Sequence, residues 1–124
     1  MIVGIGSDVV QIDRIEAALA RRPGFAQRIL TPTEMATFQH EAKPAAYLAK
    51  RFAAKEAIAK ALGCGIGEKL SWQDVETYRT DLGKPEVSFT GAALKQLNRL
   101  GGKSCHLSLS DELSVALAFA VIET

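Results

Sequence analysis

The sequence has little of what would place it in a specialised class of proteins. It contains two cysteines, one tryptophan and four prolines in 124 residues, and its formal net charge is only +1. So small a charge gives the whole molecule no strong field for nucleic acid. No apolar run approaches the roughly 20 residues that cross a bilayer, and the N-terminal segment lacks the basic start of a signal peptide. We therefore expect a cytoplasmic protein that binds neither nucleic acid nor membrane.

The cysteines and the length narrow the class further. Cys64 and Cys105 form no CxxC pair, and nothing near them has the spacing of zinc ligands. We expect two unpaired thiols that serve as small apolar residues. A chain of this length builds one domain with one core, so residues 1–124 are predicted to form a single domain.

Hydrophobic periodicity and turn residues predict the order of the elements. Helices are expected over residues 11–22, from Thr31 to about His40, from Pro44 to a cap at Gly63, and over 91–100. Strands are expected over 2–10, 71–79 and 86–89, followed by a closing hairpin from residue 104 that turns at Asp111 and Glu112. Strands at both ends of a helical middle predict an α+β domain with a mostly antiparallel sheet packed with helices.

Lys55 and Glu56 lie unexpectedly close to the apolar face of the long helix. At about 100° per residue, Lys55 falls within the apolar arc and Glu56 on its edge. The arc consists of Leu48, Phe52, Ala59 and Leu62. A charged pair there costs free energy unless it finds partners. The structural alternative is a lysine that extends outward to solvent and a glutamate on the solvated margin.

Asp8 is the second unusual carboxylate, because it ends an apolar strand beside small residues. It could simply cap the helix that follows. Together, Asp8 and Glu56 favour a hard cation, since magnesium is usually held by one or two carboxylates with substrate phosphates and water. The same helix supplies cations for a phosphate, although such a face is often only solvated; these are Lys50, Arg51, Lys55 and Lys60.

His106 is predicted on the polar face of its strand, beside Ser104 and Ser108. Most single histidines have no special role. If functional, it would bind a phosphate or act as a general acid or base.

Four sequence blocks together resemble one known family. They are GIGSDVVQIDRI at the N-terminus, AKRFAAKEAIAKALGCGI in the long helix, DLGKPEV over Asp81–Val87, and HLSLSDE with ALAFAVIE in the closing hairpin. In order and spacing the chain resembles bacterial holo-acyl-carrier-protein synthases, the small 4′-phosphopantetheinyl transferases, over essentially its whole length. Phe52 and Asp111 depart from the commonest residues of that pattern, where many members have Trp and His.

The resemblance implies that the chain has the 4′-phosphopantetheinyl transferase fold and a magnesium-dependent activity. The enzyme would transfer the 4′-phosphopantetheine of coenzyme A to a serine of apo-acyl carrier protein, in fatty acid biosynthesis, and release 3′,5′-ADP. Its magnesium ligands would be Asp8 and Glu56. Phosphates would be bound by Lys60, Arg51, Lys55 and His106, and the adenine pocket would be lined by Gly83 to Pro85.

The resemblance leaves the proton acceptor for the serine open. Glu56, a metal-bound water positioned by Glu56, and His106 are all candidates. We favour the water held by Glu56, because a metal ion acidifies the water that it binds.

The resemblance also implies two protein interfaces. Acyl carrier proteins are acidic, and the family binds them on the first helical region, where Arg14, Arg21 and Arg28 cluster around Phe25. Members are generally homotrimers with active sites between subunits, so a homotrimer is expected.

Two other functions would explain some of the same residues. A magnesium-dependent nucleotide phosphohydrolase accounts for the carboxylates and lysines, but not for the arginine-rich first helix. A regulatory domain that only binds a nucleotide would take up coenzyme A without forming product.

Overall fold

The computed structural model describes residues 1–67 and 69–124. Within these ranges, five α-helices and five strands follow one another along the chain. In order they are β1 (Ile2–Gln11), α1 (Ile12–Arg21), α2 (Phe25–Ile29), α3 (Pro32–Phe38), α4 (Pro44–Leu62), a 3₁₀ turn (Trp72–Asp74), β2 (Val75–Arg79), β3 (Pro85–Phe89), α5 (Gly91–Arg99), β4 (Ser104–Glu112) and β5 (Val115–Glu123).

The strands form two antiparallel sheets. One has the order β1-β5-β4, which places the first and last strands of the chain side by side, and the other is the β2–β3 hairpin. Helix α4 packs on the three-stranded sheet and is buried on most of its sides. The α+β architecture with antiparallel sheets is therefore confirmed. Among the described residues, none of the helices has both the length and the apolar character to span a membrane.

The contact between α4 and the sheet depends on small residues. A Cβ atom added to Gly4 or Gly6 would overlap the carbonyl oxygen of Ala61 or Ala57, so the helix backbone lies directly on β1. On β5, three fully buried alanines face the same helix; they are Ala116, Ala118 and Ala120. The larger residues that alternate with these alanines therefore point to the opposite face of the sheet.

That opposite face is apolar and uncovered in the single chain. It carries Ile5, Val9, Leu117 and Phe119, whose exposed fractions lie between 43% and 61%. An exposed apolar patch of this kind commonly marks an interaction surface.

Local sequence signals account for the ends of two helices. Thr31 and Glu34 form a capping box at the start of α3, in which each side chain accepts a hydrogen bond from the other's backbone N–H. Gly63 ends α4 with a φ of 78°, a left-handed conformation that favours glycine. The predicted bounds of both helices are confirmed to within a few residues.

One helix is additional to those predicted, and two local predictions need correction. Phe25–Ile29 forms α2, between the two helices predicted over 11–22 and from Thr31. Residues Trp72–Asp74 form a 3₁₀ turn rather than the start of a strand, since Ser71 caps it by accepting from the Gln73 N–H. The closing hairpin turns at Leu113 and Ser114, so Asp111 and Glu112 belong to β4.

Candidate active site

The side chains of Asp8 and Glu56 lie near each other where α4 crosses the C-terminal half of β1. Asp8 lies two residues beyond Gly6 and therefore on the same face of the strand, the face that α4 covers. Burial raises the pKa of Glu56, the nearby Asp8 carboxylate raises it further, and Lys60 opposes both effects. Two neighbouring carboxylates, one of them partly buried, form a donor set suited to a divalent cation.

Lys60 lies beside this pair, one helical turn after Glu56. Its Nζ donates to the Ser7 carbonyl oxygen at 2.9 Å and lies 3.4 Å from Asp8 Oδ1. The Lys60 side chain is 56% exposed, so the ammonium group remains accessible to a ligand. The structure thus brings together three predicted site residues, Asp8, Glu56 and Lys60.

A cavity of about 610 Å³ opens from the two carboxylates toward α1 and α2. Its walls include four residues of the arginine-rich segment: Arg14, Arg21, Arg22 and Phe25. A neighbouring cavity of about 450 Å³ shares Phe25 with it and adds Arg28. The residues predicted for carrier-protein docking therefore line the same surface as the carboxylates.

Phe52 and Trp72 are part of this surface, although sequence reasoning assigned neither of them a functional place. Their rings pack with centroids 5.1 Å apart, and both line the cavity that contains Phe25 and Arg28. Phe52 also lines the cavity of the carboxylates, one helical turn before Glu56. That i, i+4 spacing was the available signal, whereas Trp72 had none because it comes from a distant segment.

Arg51 belongs to a different cavity, of about 560 Å³, at the N-terminal half of α4. Its guanidinium lies 4.9 Å from the centroid of the Tyr47 ring and donates from Nη1 to Thr77 Oγ1 at 3.1 Å. Arg51 Nε is buried and has no hydrogen-bond partner among the described residues. Three further cations line this cavity, partly balanced by acids such as Asp111; they are Lys43, Lys50 and Arg79. Arg51 and Lys60 thus lie at separate places on the molecule.

Lys55 is not available to a ligand. It is fully buried, and its Nζ donates to Glu34 Oε1 at 2.6 Å, to the Ile29 carbonyl oxygen at 2.6 Å and to the Trp72 carbonyl oxygen at 3.1 Å. Burial lowers the pKa of Lys55, and the Glu34 carboxylate opposes that shift. These internal partners correct the prediction that Lys55 binds a phosphate, and equally the alternative that it extends into solvent.

His106 lies on the other face of the sheet. Its neighbour Leu107 is paired with Ala120, which in turn is paired with Gly6 under α4, so Leu107 faces the helix and His106 faces away from it. His106 Nε2 is 2.6 Å from Glu123 Oε1. Within one chain, the expected proximity of His106 to the carboxylates is therefore not found.

Gly83 and Pro85 lie in the β2–β3 hairpin, away from Asp8 and Glu56. Gly83 has a φ of 84°, and its carbonyl oxygen accepts from Arg79 Nη1 at 3.3 Å. Because Arg79 also lines the Arg51 cavity, the hairpin stands at the edge of that cavity.

Comparison with known proteins defines the class to which this fold and site belong. A model of the 4′-phosphopantetheinyl transferase superfamily matches residues 4–118. The holo-[acyl-carrier-protein] synthase of Shewanella pealeana is 47% identical to this chain over 131 residues, which cover 100% of both chains. The chain belongs to the holo-acyl-carrier-protein synthases of this superfamily.

Solved structures agree with that assignment. The crystal structure of holo-[acyl-carrier-protein] synthase from Neisseria meningitidis is similar to this fold with a TM-score of 0.91 and 46% identity, and each chain covers 100% of the other. A holo-(acyl-carrier-protein) synthase from Bacillus anthracis, solved in complex with CoA (3′,5′-ADP), has a TM-score of 0.84 and 36% identity over 100% of this chain and 98% of its own. The 4′-phosphopantetheinyl transferase fold is thereby confirmed.

Proposed function

We propose that the cavity at Asp8 and Glu56 is where this chain moves 4′-phosphopantetheine from coenzyme A to a serine of apo-acyl carrier protein. The serine oxygen attacks the phosphorus that carries pantetheine, the bridging P–O bond of the pyrophosphate breaks, and 3′,5′-ADP leaves. The products are holo-acyl carrier protein, for fatty acid biosynthesis, and 3′,5′-ADP. The observation that carries the proposal is the meeting of the two carboxylates at the wall that the docking residues also line.

We propose that Asp8 and Glu56 hold a magnesium ion. The fit rests on the chemistry of the donor set: two carboxylates that are close enough for Asp8 to raise the pKa of Glu56, with open cavity beside them for phosphate oxygens. When bound, magnesium would neutralise the charge that develops on the pyrophosphate.

Cationic side chains would bind the phosphates of coenzyme A at two places. Lys60, which is accessible beside Asp8, would contact the reacting phosphates. Arg51 would bind a phosphate in its own cavity, where its buried Nε offers an unused donor. The backbone at Gly83 and Pro85, at the edge of that cavity, would then contact the adenine. This arrangement divides the phosphate roles between Arg51 and Lys60, without Lys55.

The proton of the attacking serine has to move as its oxygen bonds to phosphorus. Glu56 is the nearest candidate acceptor, directly or through a water that it orients, because burial and Asp8 make its carboxylate more basic than usual. His106 would act only if the site is shared between subunits, since it projects from the far face of the sheet.

Carrier-protein docking would use the surface around α1 and α2. Arg14, Arg21 and Arg28 are exposed and would meet acidic groups of the carrier, while half-buried Phe25 would provide an apolar contact. Opposite charges on the two partners would steer their encounter.

We further propose a homotrimer that packs on the uncovered sheet face. Its support is the apolar patch of Ile5, Val9, Leu117 and Phe119. A neighbouring subunit there would also come close to His106. Sedimentation analysis tests this proposal, since a monomer at micromolar concentration would contradict it. We also propose a cytoplasmic location, in which the free thiols Cys64 and Cys105 remain reduced.

One experiment tests the reaction and its metal dependence. The chain is incubated with apo-acyl carrier protein, coenzyme A and magnesium, with or without a chelator, and the carrier's intact mass is measured. We expect a gain equal to one phosphopantetheine, lost with chelator and restored by excess magnesium. Hydrolysis of nucleotides without a carrier, or coenzyme A binding without product, would contradict the proposal.

A further inference from the structure

Helix α2 presents two docking residues, yet it has little intrinsic stability. It is five residues long and starts at Gly24, which provides no side-chain cap. Helices this short are not stable by themselves, because a single turn does not offset the cost of nucleation. The position of Phe25 and Arg28 must therefore be fixed by contacts from outside the helix.

Buried Ala26 and Ile29 make some of those contacts in the core, and two side chains make the others at the end of the helix. The Gln73 Nε2 amide lies 3.1 Å from the Gln27 carbonyl oxygen, 3.2 Å from that of Arg28 and 2.8 Å from that of Leu30. The remaining carbonyl of the last turn, that of Ile29, accepts from Lys55 Nζ at 2.6 Å. Helix ends leave four carbonyls without intrahelical partners, and here Gln73 Nε2 or Lys55 Nζ lies within hydrogen-bond distance of each. The amide has two N–H groups, so Gln73 donates to two of its three carbonyls at a time or shares its hydrogens among them.

Gln73 is itself held in place from the other side. It lies in the middle of the 3₁₀ turn, where its backbone N–H donates to Ser71 Oγ at 3.2 Å. Asp74, the next residue, accepts at its carbonyl oxygen from the Thr90 N–H at 2.8 Å. The Gln73 amide therefore projects from a turn with fixed geometry, while its residue as a whole is exposed.

We propose that Gln73 is a positioning residue for the carrier protein. With Lys55 it anchors α2, so that Phe25 and Arg28 are already in place when the carrier arrives. This inference rests on the docking role proposed above for α2. Without the Gln73 amide, binding of the carrier would have to order the helix as well, and that cost would appear as weaker binding.

The test replaces Gln73 by methionine, which has a similar length and no charge but cannot donate. We expect the KM for apo-carrier protein to rise about tenfold, as for the loss of one or two net hydrogen bonds. The turnover number at saturating carrier and the affinity for coenzyme A should stay at wild-type values, because the carboxylate site is untouched. This split between KM and kcat would identify a loss of binding alone.

Gln96→Met is the matched control. The Gln96 Nε2 amide donates to the Leu62 carbonyl oxygen at 2.9 Å, at the end of α4 and away from the docking surface. The Gln96→Met variant should leave the KM for the carrier unchanged. A similar rise in KM for both variants would overturn the proposal, since it would reflect general loosening of the fold.

Amide hydrogen exchange provides a readout that needs no substrate. The N–H groups of Arg28 and Leu30 donate to the carbonyls of Gly24 and Ala26 within α2, and they should exchange faster in Gln73→Met. Faster exchange with an unchanged KM would overturn the docking role, and unchanged exchange would overturn the anchoring. If the wild-type chain modified no carrier, the proposed function itself would fail, whereas the exchange result would still stand.

Discussion

Lys55 and Glu56 are adjacent in sequence, but their side chains lie in opposite environments on α4: one is buried with internal partners, and the other faces a cavity. The Lys55 ammonium is fully buried and donates to three oxygens of the same chain. The Glu56 carboxylate is half-buried at a cavity wall and accepts no hydrogen bond from the described residues. The Lys55 charge therefore holds segments of the chain together, whereas the Glu56 carboxylate remains accessible to a ligand. Which residue of a charged motif is reactive therefore depends on which one lacks internal partners.

The first prediction tests the structural role of Lys55 by removing its charge. Lys55→Met leaves the buried Glu34 carboxylate without its cation, so the free energy of unfolding should fall by about 3–5 kcal/mol. Urea denaturation measures it, with the exposed residue change Lys95→Met as control. The double variant Glu34→Gln/Lys55→Met should be less destabilised than Lys55→Met, because no uncompensated charge remains. A loss in Lys55→Met no larger than in the control would contradict the assignment.

The second prediction tests the proposed reactive role of Glu56 by removing its charge. Glu56→Gln should lower kcat roughly 10²–10³-fold, the usual effect of removing one electrostatic group at a reacting centre, without reducing stability. Steady-state kinetics with apo-carrier protein measure the rate, and Glu112→Gln, an exposed change at the end of β4, should be neutral. Near-normal turnover of Glu56→Gln would rule out both the metal ligand and the proton acceptor.

A third prediction extends the comparison to the exposed charges. The double reversal Arg14→Glu/Arg28→Glu should raise the KM for the acidic carrier about tenfold or more, equivalent to about 1.4 kcal/mol. The effect should be largest at low ionic strength, since salt screens exposed charges. Arg99→Glu on α5 provides the control. Kinetics that match those of the wild type at every salt concentration would refute the docking surface.

The fourth and smallest effect concerns pH and the raised pKa of Glu56. This pKa is raised mainly by burial and further by the charge of Asp8. The folded state holds this proton more tightly than the unfolded state, so Glu56 should reduce stability as pH rises from the ordinary glutamate pKa through the raised one. Glu56→Gln should therefore gain stability relative to wild type over that window, without magnesium. A constant difference across the window would show that the pKa is not raised.

The sequence predicted best those features that depend on neighbouring residues. Thr31 and Glu34 are three positions apart, and Gly63 directly follows its helix, so the starts and ends of α3 and α4 could be read locally. Helix α2 could not be predicted in this way. Its last carbonyls are contacted by Gln73 and Lys55, which are distant in sequence.

The same distinction applies to the site. Asp8, Glu56 and Lys60 could be proposed because their residue types suit a metal and a phosphate. The burial of Lys55 depends on Glu34, which is 21 residues away in sequence, and no local sequence pattern connects the two residues. The strand pattern predicted that His106 is accessible, but only the β1-β5-β4 order shows that it lies on the face opposite α4.

The direct contact of α4 with Gly4 and Gly6 has a consequence for how the site can vary. No side chain separates the helix from β1 at this crossing, so the spacing between the backbone segments that carry Asp8 and Glu56 is set by direct contact of helix and strand. Rotamer changes and substitutions elsewhere in the core have little leverage on that spacing. The docking surface could thus be altered for a different carrier while the two backbone segments keep their separation, whereas Gly6→Ala alone would push them apart.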